Sequence, residues 1–81
     1  MKILVRFFAR AKDLAGADVV SVDLPAGATV NDLRRQLAHA YPPLANLLEH
    51  SALAVDNEFA ADSLVLLPGT EVALLPPVSG G

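Results

Sequence analysis

Apolar and polar positions alternate over residues 2–8 (KILVRFF). This predicts a strand with Ile3, Val5 and Phe7 on one face and Leu4, Arg6 and Phe8 on the other. The period of two returns at 18–24 (DVVSVDL), a natural antiparallel partner, which Pro25-Ala26-Gly27 closes. Between them, residues 9–16 (ARAKDLAG) read as a polar connection ending at the turn residue Gly16. From Thr29 the period changes: Val30, Leu33, Leu37 and Ala40 or Tyr41 fall at helical spacing, with Arg34 and Arg35 facing outward. Thr29 can cap this helix, and Asp32, three residues on, can reach back as in a capping box. Pro42 ends it, because the residue before a proline is pushed out of helical geometry. Leu44 to Glu49 adds a short second turn of helix. Short strands at 52–56 (ALAVD) and 58–60 flank Asn57, a good turn residue. After the Pro68-Gly69 turn, 70–75 (TEVALL) makes the last strand, with Val72 and Leu74 opposed to Ala73 and Leu75.

This order predicts an α+β roll. One main helix of about three turns covers one face of a mixed four- to five-stranded sheet, and the other face stays open. Residues 1–75 form the domain, and residues 76–81 are expected to form a flexible tail.

Composition narrows the chemistry. Of 81 residues, 53% are apolar, but many of these are alanine, so leucine, valine, Ile3 and the three phenylalanines must supply the core. A chain this size buries about 60% of its unfolded surface and has little interior left for a deep active site. Cysteine is absent, which excludes disulfides, thiolate-bound metal and a thiol nucleophile. All six basic residues (Lys2, Arg6, Arg10, Lys12, Arg34, Arg35) lie in the first 35 positions. The last 46 positions carry five acids and no base, and the net charge is −3. An acidic chain without a basic run is poor bait for nucleic acid and better suited to a protein with a basic patch. No apolar run reaches the roughly 18 residues that span a bilayer, and Arg6 and Arg10 interrupt any signal-peptide core. The expected location is cytoplasmic.

Candidate sites for metal or hydrolysis are weak. His39 and His50 stand eleven apart without a third ligand, so no metal site is expected. Ser21, Ser51, Ser63 and Ser79 lack a histidine and acid pattern. Asp56 and Glu58 could share one side of a strand but would need a pocket that so small a chain can hardly build.

The last residues are more informative. Gly80-Gly81 follows a structured strand, the stiff Pro76-Pro77 pair, and the small residues Val78 and Ser79. A frayed end or a linker remnant would give the same two letters. The functional reading is about access. A carboxylate is a poor electrophile until its oxygen becomes a leaving group, and an enzyme that does this holds the carboxyl terminus in a narrow, water-excluding channel. Residues without Cβ let the backbone pass such walls, and the proline pair limits the freedom lost on threading.

The ending LLPPVSGG (74–81) resembles the tail of the MoaD-like sulfur carriers, the small subunits of molybdopterin synthase. FFARAKDLAG (7–16), AVDNEF (54–59) and PGTEVALLPP (68–77) are similar to pieces that family carries at the same places. Asp56 and Thr70 depart from the family's frequent Asn and Asp, and Leu74 and Leu75 replace more aromatic choices. The resemblance implies a β-grasp, ubiquitin-like fold. It implies that Gly81 is adenylated by a ubiquitin-activating-like adenylyltransferase at the expense of ATP, then converted to a thiocarboxylate with a sulfur donor protein. Pro76, Pro77, Val78, Ser79 and Gly80 would thread into the large subunit, in an expected heterotetramer, where sulfur passes to a cyclic pyranopterin phosphate. No cofactor is expected on the chain itself, and alone it should have no turnover. Phe8, Phe59 and Leu75 match positions that pack on the large subunit and activating enzyme, and Lys12 matches a basic residue that contacts an acid of that enzyme. Rival readings are a sulfur carrier for thiazole, cysteine or tRNA thiolation, a ubiquitin-like modifier joined to lysines, and a plain binding module with an inert tail.

Overall fold

The computed structural model describes residues 1–75. Its strands are β1 (Lys2–Phe7), β2 (Val19–Asp23), β3 (Ala52–Val55), β4 (Glu58–Phe59) and β5 (Glu71–Leu75). Its helices are α1 (Ala9–Ala15), α2 (Val30–Ala40) and α3 (Ala45–His50), the last preceded by a 3₁₀ turn at Pro42–Leu44. The strands form one mixed sheet in the order β2-β1-β5-β3-β4. β1 pairs antiparallel with β2 and parallel with β5, so the first and last strands lie side by side in its middle.

The period-two pattern decides which face is covered. Ile3, Val5, Phe7, Val72, Leu74 and Leu53 point to one side and are buried. Val30, Leu33 and Leu37 of α2 and Leu44 and Leu48 close over them. Each such side chain stabilises the fold by about 1.5–3 kcal/mol relative to exposure. Phe7 also meets Tyr41 edge-on, with ring centroids 6.1 Å apart and planes at 77°. The expected α+β roll is therefore present, with its second sheet face open.

Thr29 caps α2 through the predicted reciprocal box. Its N–H donates to Asp32 Oδ2 at 2.9 Å, and its hydroxyl accepts from the Asp32 N–H at 3.3 Å. The backbone N–H of Thr29, and after it the Thr29 hydroxyl, hold the Asp32 carboxyl below its ordinary value of 3.8. A depressed carboxylate contributes stability that is present above the unfolded value and lost as pH falls through the folded one. Asp32→Asn is accordingly expected to flatten the fall of melting temperature on acidification below pH 3.8, which thermal melts across that range would measure.

Two expectations are corrected. Residues 9–16 are not a polar connection: Ala9–Ala15 is a helix. Alanine at 11 and 15 favours it, Ala11 is buried as its anchor, and Gly16 ends it at φ 76°, its N–H bonding the Lys12 carbonyl at 3.0 Å. Arg34 does not face outward: its side chain is only 20% exposed. Its Nη1 donates to the carbonyls of Leu48 and, at 2.9 Å, Ser51, and its Nη2 meets Asp62 Oδ1 at 3.1 Å. The end of α3 leaves carbonyls without helical partners, and the long guanidinium stem reaches them from α2. Arg34→Ala should cost about 2–3 kcal/mol, because its charge-assisted bonds are lost and the Ser51 carbonyl loses its guanidinium donor. Thermal melts should show a drop of roughly 10 °C or more. Arg34→Lys should recover less than half of the loss, because an ammonium cannot fork between the same acceptors.

Candidate partner interface

Pairing in the sheet fixes the open face row by row. Leu4 stands opposite Ser21 and beside Glu71, Arg6 lies between Val19 and Ala73, and Ala73 is in turn opposite Ala54. Ala54 faces Phe59 on the edge strand, and Leu75 faces Ala52. The small alanines make the middle of this face flat, and larger apolar side chains stand around it. Phe8 and Leu4 are each 41% exposed and Phe59 is 78% exposed, while Leu75 is half-buried. A shallow groove of about 230 Å³ runs over Ala54, Ala73, Asp56, Asn57 and Glu71. An apolar patch on a small domain, rimmed by polar groups, marks a contact surface.

Local geometry aims each side chain. Phe7 ends β1 pointing into the core, so Phe8, the next residue in an extended conformation (φ −130°, ψ 156°), must point to the open face. Ala9 then takes φ 48°, a left-handed conformation that turns the chain abruptly into α1. Lys12 is exposed on that helix, one turn beyond Phe8. Asp56 (φ 52°) and Asn57 (φ 66°) are consecutive left-handed residues, as a two-residue hairpin requires, and they carry the chain into β4 with Phe59. Arg6 Nε and Glu71 Oε1 pair at 2.9 Å across the face. Both are about half exposed, so the pair adds little stability and serves to neutralise charge inside the apolar patch.

The structure thus brings Phe8, Phe59 and Leu75 to one sheet face, with Lys12 on the neighbouring helix. Pro76, Pro77, Val78, Ser79, Gly80 and Gly81 lie outside the described residues. The root of that segment is placed: β5 ends at Leu75, one residue past the pairing of Leu74 with Phe7, and so next to Phe8 on the open face. His39 and His50 are exposed on different helices. Ser51 is a structural residue, its hydroxyl donating to the Leu47 carbonyl at 2.6 Å. Among the described residues, no helix is long and apolar enough to cross a membrane. Residues 61–67, for which the pattern predicts no element, expose Leu64, Val65 and Leu67. Their signal was an apolar run (LVLL) with neither strand nor helix period.

A mixed five-stranded sheet, helices on one face and a bare opposite face define a β-grasp domain of the ubiquitin-like class. Solved structures agree: the small archaeal modifier protein 1 of Haloferax volcanii superposes with a TM-score of 0.87 at 32% identity, each chain covered completely. A putative molybdopterin converting factor subunit 1 from Pyrococcus furiosus gives 0.87 at 29% identity, covering 96% of this chain and 99% of that one. Within that class, the chain belongs to the ThiS family, whose profile matches residues 5–81. It is similar to the molybdopterin synthase sulfur carrier subunit of Dictyostelium discoideum, at 39% identity over 99% of this chain and 94% of that protein.

Proposed function

We propose that this chain is the sulfur-carrier subunit of a molybdopterin synthase. The observation that carries the reading is the full-length likeness to a curated carrier of that name, together with a family match that runs through Gly80-Gly81. In this reading the Gly81 carboxylate attacks the α-phosphorus of ATP on an activating enzyme, and pyrophosphate leaves. Hydrosulfide then adds to the acyl-adenylate carbonyl, the C–O bond to AMP breaks, and the thiocarboxylate remains. The last six residues thread into a large subunit, where the sulfur is delivered to a cyclic pyranopterin phosphate and water restores the carboxylate. The open face supplies the docking surface: Phe8 and Leu75 lie where the chain leaves the sheet, so a partner that grips them also receives the tail. Lys12 steers the approach of an acidic partner from α1. The chain itself contributes a carbonyl and a surface, and the pocket belongs to its partners.

The carrier chemistry is tested by intact mass spectrometry after incubation with ATP, the activating enzyme and a sulfur source, and the pathway by complementation of strains that each lack one carrier. The expected mass change is replacement of one oxygen by sulfur at the last residue only. A second reading, a ubiquitin-like protein modifier, is favoured by the likeness to the archaeal modifier protein. Blots of cell lysate after hydroxylamine treatment separate the two. Isopeptide-linked adducts resist it and would support the modifier, whereas thioester or acyl-adenylate species are cleaved.

A further inference from the structure

Phe59 stands at a corner, and on its other side the chain forms a second groove, of about 440 Å³. Val55 and the buried Leu66 make its floor, and Phe59, Leu64, Val65 and Leu67 make its walls. The last four account for half of the large apolar side chains that stand exposed in the described residues, with Phe59 at 78% and Leu67 at 69%. The fold does not require this exposure, since Leu66 alone fills the core from this segment. The walls are nonetheless fixed in place. The Val30 N–H bonds the Leu64 carbonyl at 2.9 Å, the Leu66 N–H bonds the Ala28 carbonyl at 2.8 Å, and Thr29 bridges to Val65. With the 64–66 wall fixed by these bonds and the Phe59 wall by the pairing of β4 with β3, the groove needs little ordering on binding.

Charge decides the occupant. Among the described residues, the charged side chains that line the groove are Asp56 and Glu58, both acidic, and no cation lines it. Phosphate backbones and anionic lipid surfaces would be repelled. An apolar side chain carried between lysines or arginines would be attracted and would fill the space. We propose that this groove docks a partner protein by one inserted apolar side chain, with flanking basic residues paired to Asp56 and Glu58. The surface is separate from residues 76–81, and the proposal holds whether or not the chain carries sulfur.

The probe is a capped pentapeptide, Lys-Arg-Leu-Arg-Lys, titrated into the ¹⁵N-labelled full chain. The expected result is amide shifts concentrated at 55–59 and 64–67 that saturate. The apparent affinity should weaken several-fold between roughly 50 and 200 mM salt. Replacing the peptide's leucine by serine, or its cations by glutamate, should abolish the response. Leu67→Ser, at an exposed position, should keep a dispersed spectrum and lose most of the affinity. Should that variant unfold, Asp56→Asn with Glu58→Gln provides the same test through charge alone. The proposal is overturned by shifts centred on Leu4, Phe8 and Leu75, or by shifts at every carboxylate regardless of the leucine. It is equally overturned by no response at millimolar peptide. Concentration-dependent broadening of 64–67 without peptide would also overturn it, by making a second copy of the chain the occupant.

Discussion

A chain lacking Gly81 is expected to yield no thiocarboxylate and to support no cofactor synthesis, while melting at the same temperature as the intact protein. The two halves of this result come from different parts of the molecule. Among the described residues, the buried core and the cap of α2 are made by side chains far from Gly81 in sequence, and Gly81 has no side chain to add to them. The chemistry depends on where the reacting carbonyl sits. Removing one residue draws the carboxylate back by about 3.3–3.6 Å along an extended chain, and a misplacement of about 1 Å is already enough to cost two orders of magnitude in a positioned reaction. One leucine appended after Gly81 is expected to give the same loss by the opposite route, because a side chain must then enter a passage suited to bare backbone. Intact mass spectrometry reads the first outcome, and complementation of a strain lacking its own carrier reads the second. Cofactor synthesis supported by an extended chain that is not trimmed would overturn the reading of the last residues as a bare backbone threaded into a partner. The inert-module reading expects no change in either experiment.

Much of this domain is legible in its one-dimensional pattern, and the places where it is not share a cause. Ile3, Val5 and Phe7 alternate with Leu4, Arg6 and Phe8, and the period of two alone says which set is covered once a helix is present. Thr29 and Asp32 announce the start of α2 because capping is a local interaction among neighbours in sequence. What stays hidden is tertiary. Helix α1 buries only Ala11, too small a stripe to show as a period, and its charged residues look like those of a loop. Arg34 looks like the wet side of a helix until α3 is placed against it, because the carbonyls it serves are 14 and 17 positions away. The open face combines the two. Phe8 and Leu75 are readable as pointing away from the core, but their adjacency depends on the parallel pairing of β1 with β5, which brings together opposite ends of the domain. The exposure of Leu64, Val65 and Leu67 is not legible in the sequence, because an irregular segment carries no period and only the folded chain decides which of its side chains are covered.

Phe8→Ala should weaken binding to a molybdopterin synthase large subunit by about 30-fold or more, the loss of roughly 2 kcal/mol typical of a central aromatic anchor. The same change should lower folding stability by less than about 1 kcal/mol, as for a side chain that keeps much of its surface in water. Its neighbour supplies the contrast. Phe7 is 1% exposed and packed beneath α2, so Phe7→Ala opens a cavity and should cost about 3–5 kcal/mol of stability. Adjacent, chemically identical residues are thus divided by strand alternation, one assigned to the core and the other to the surface. Phe59→Ala and Leu75→Ala test how far the surface extends. Leu75 adjoins both Ala52 and the exit of the chain, so its truncation should reduce affinity together with Phe8 in a non-additive way. Phe59, across the flat alanine row, should behave independently of Phe8. Calorimetric titration beside thermal melts measures both quantities on the same samples. Equal losses of affinity and stability in Phe8→Ala would return this residue to the core and leave the open face without an anchor.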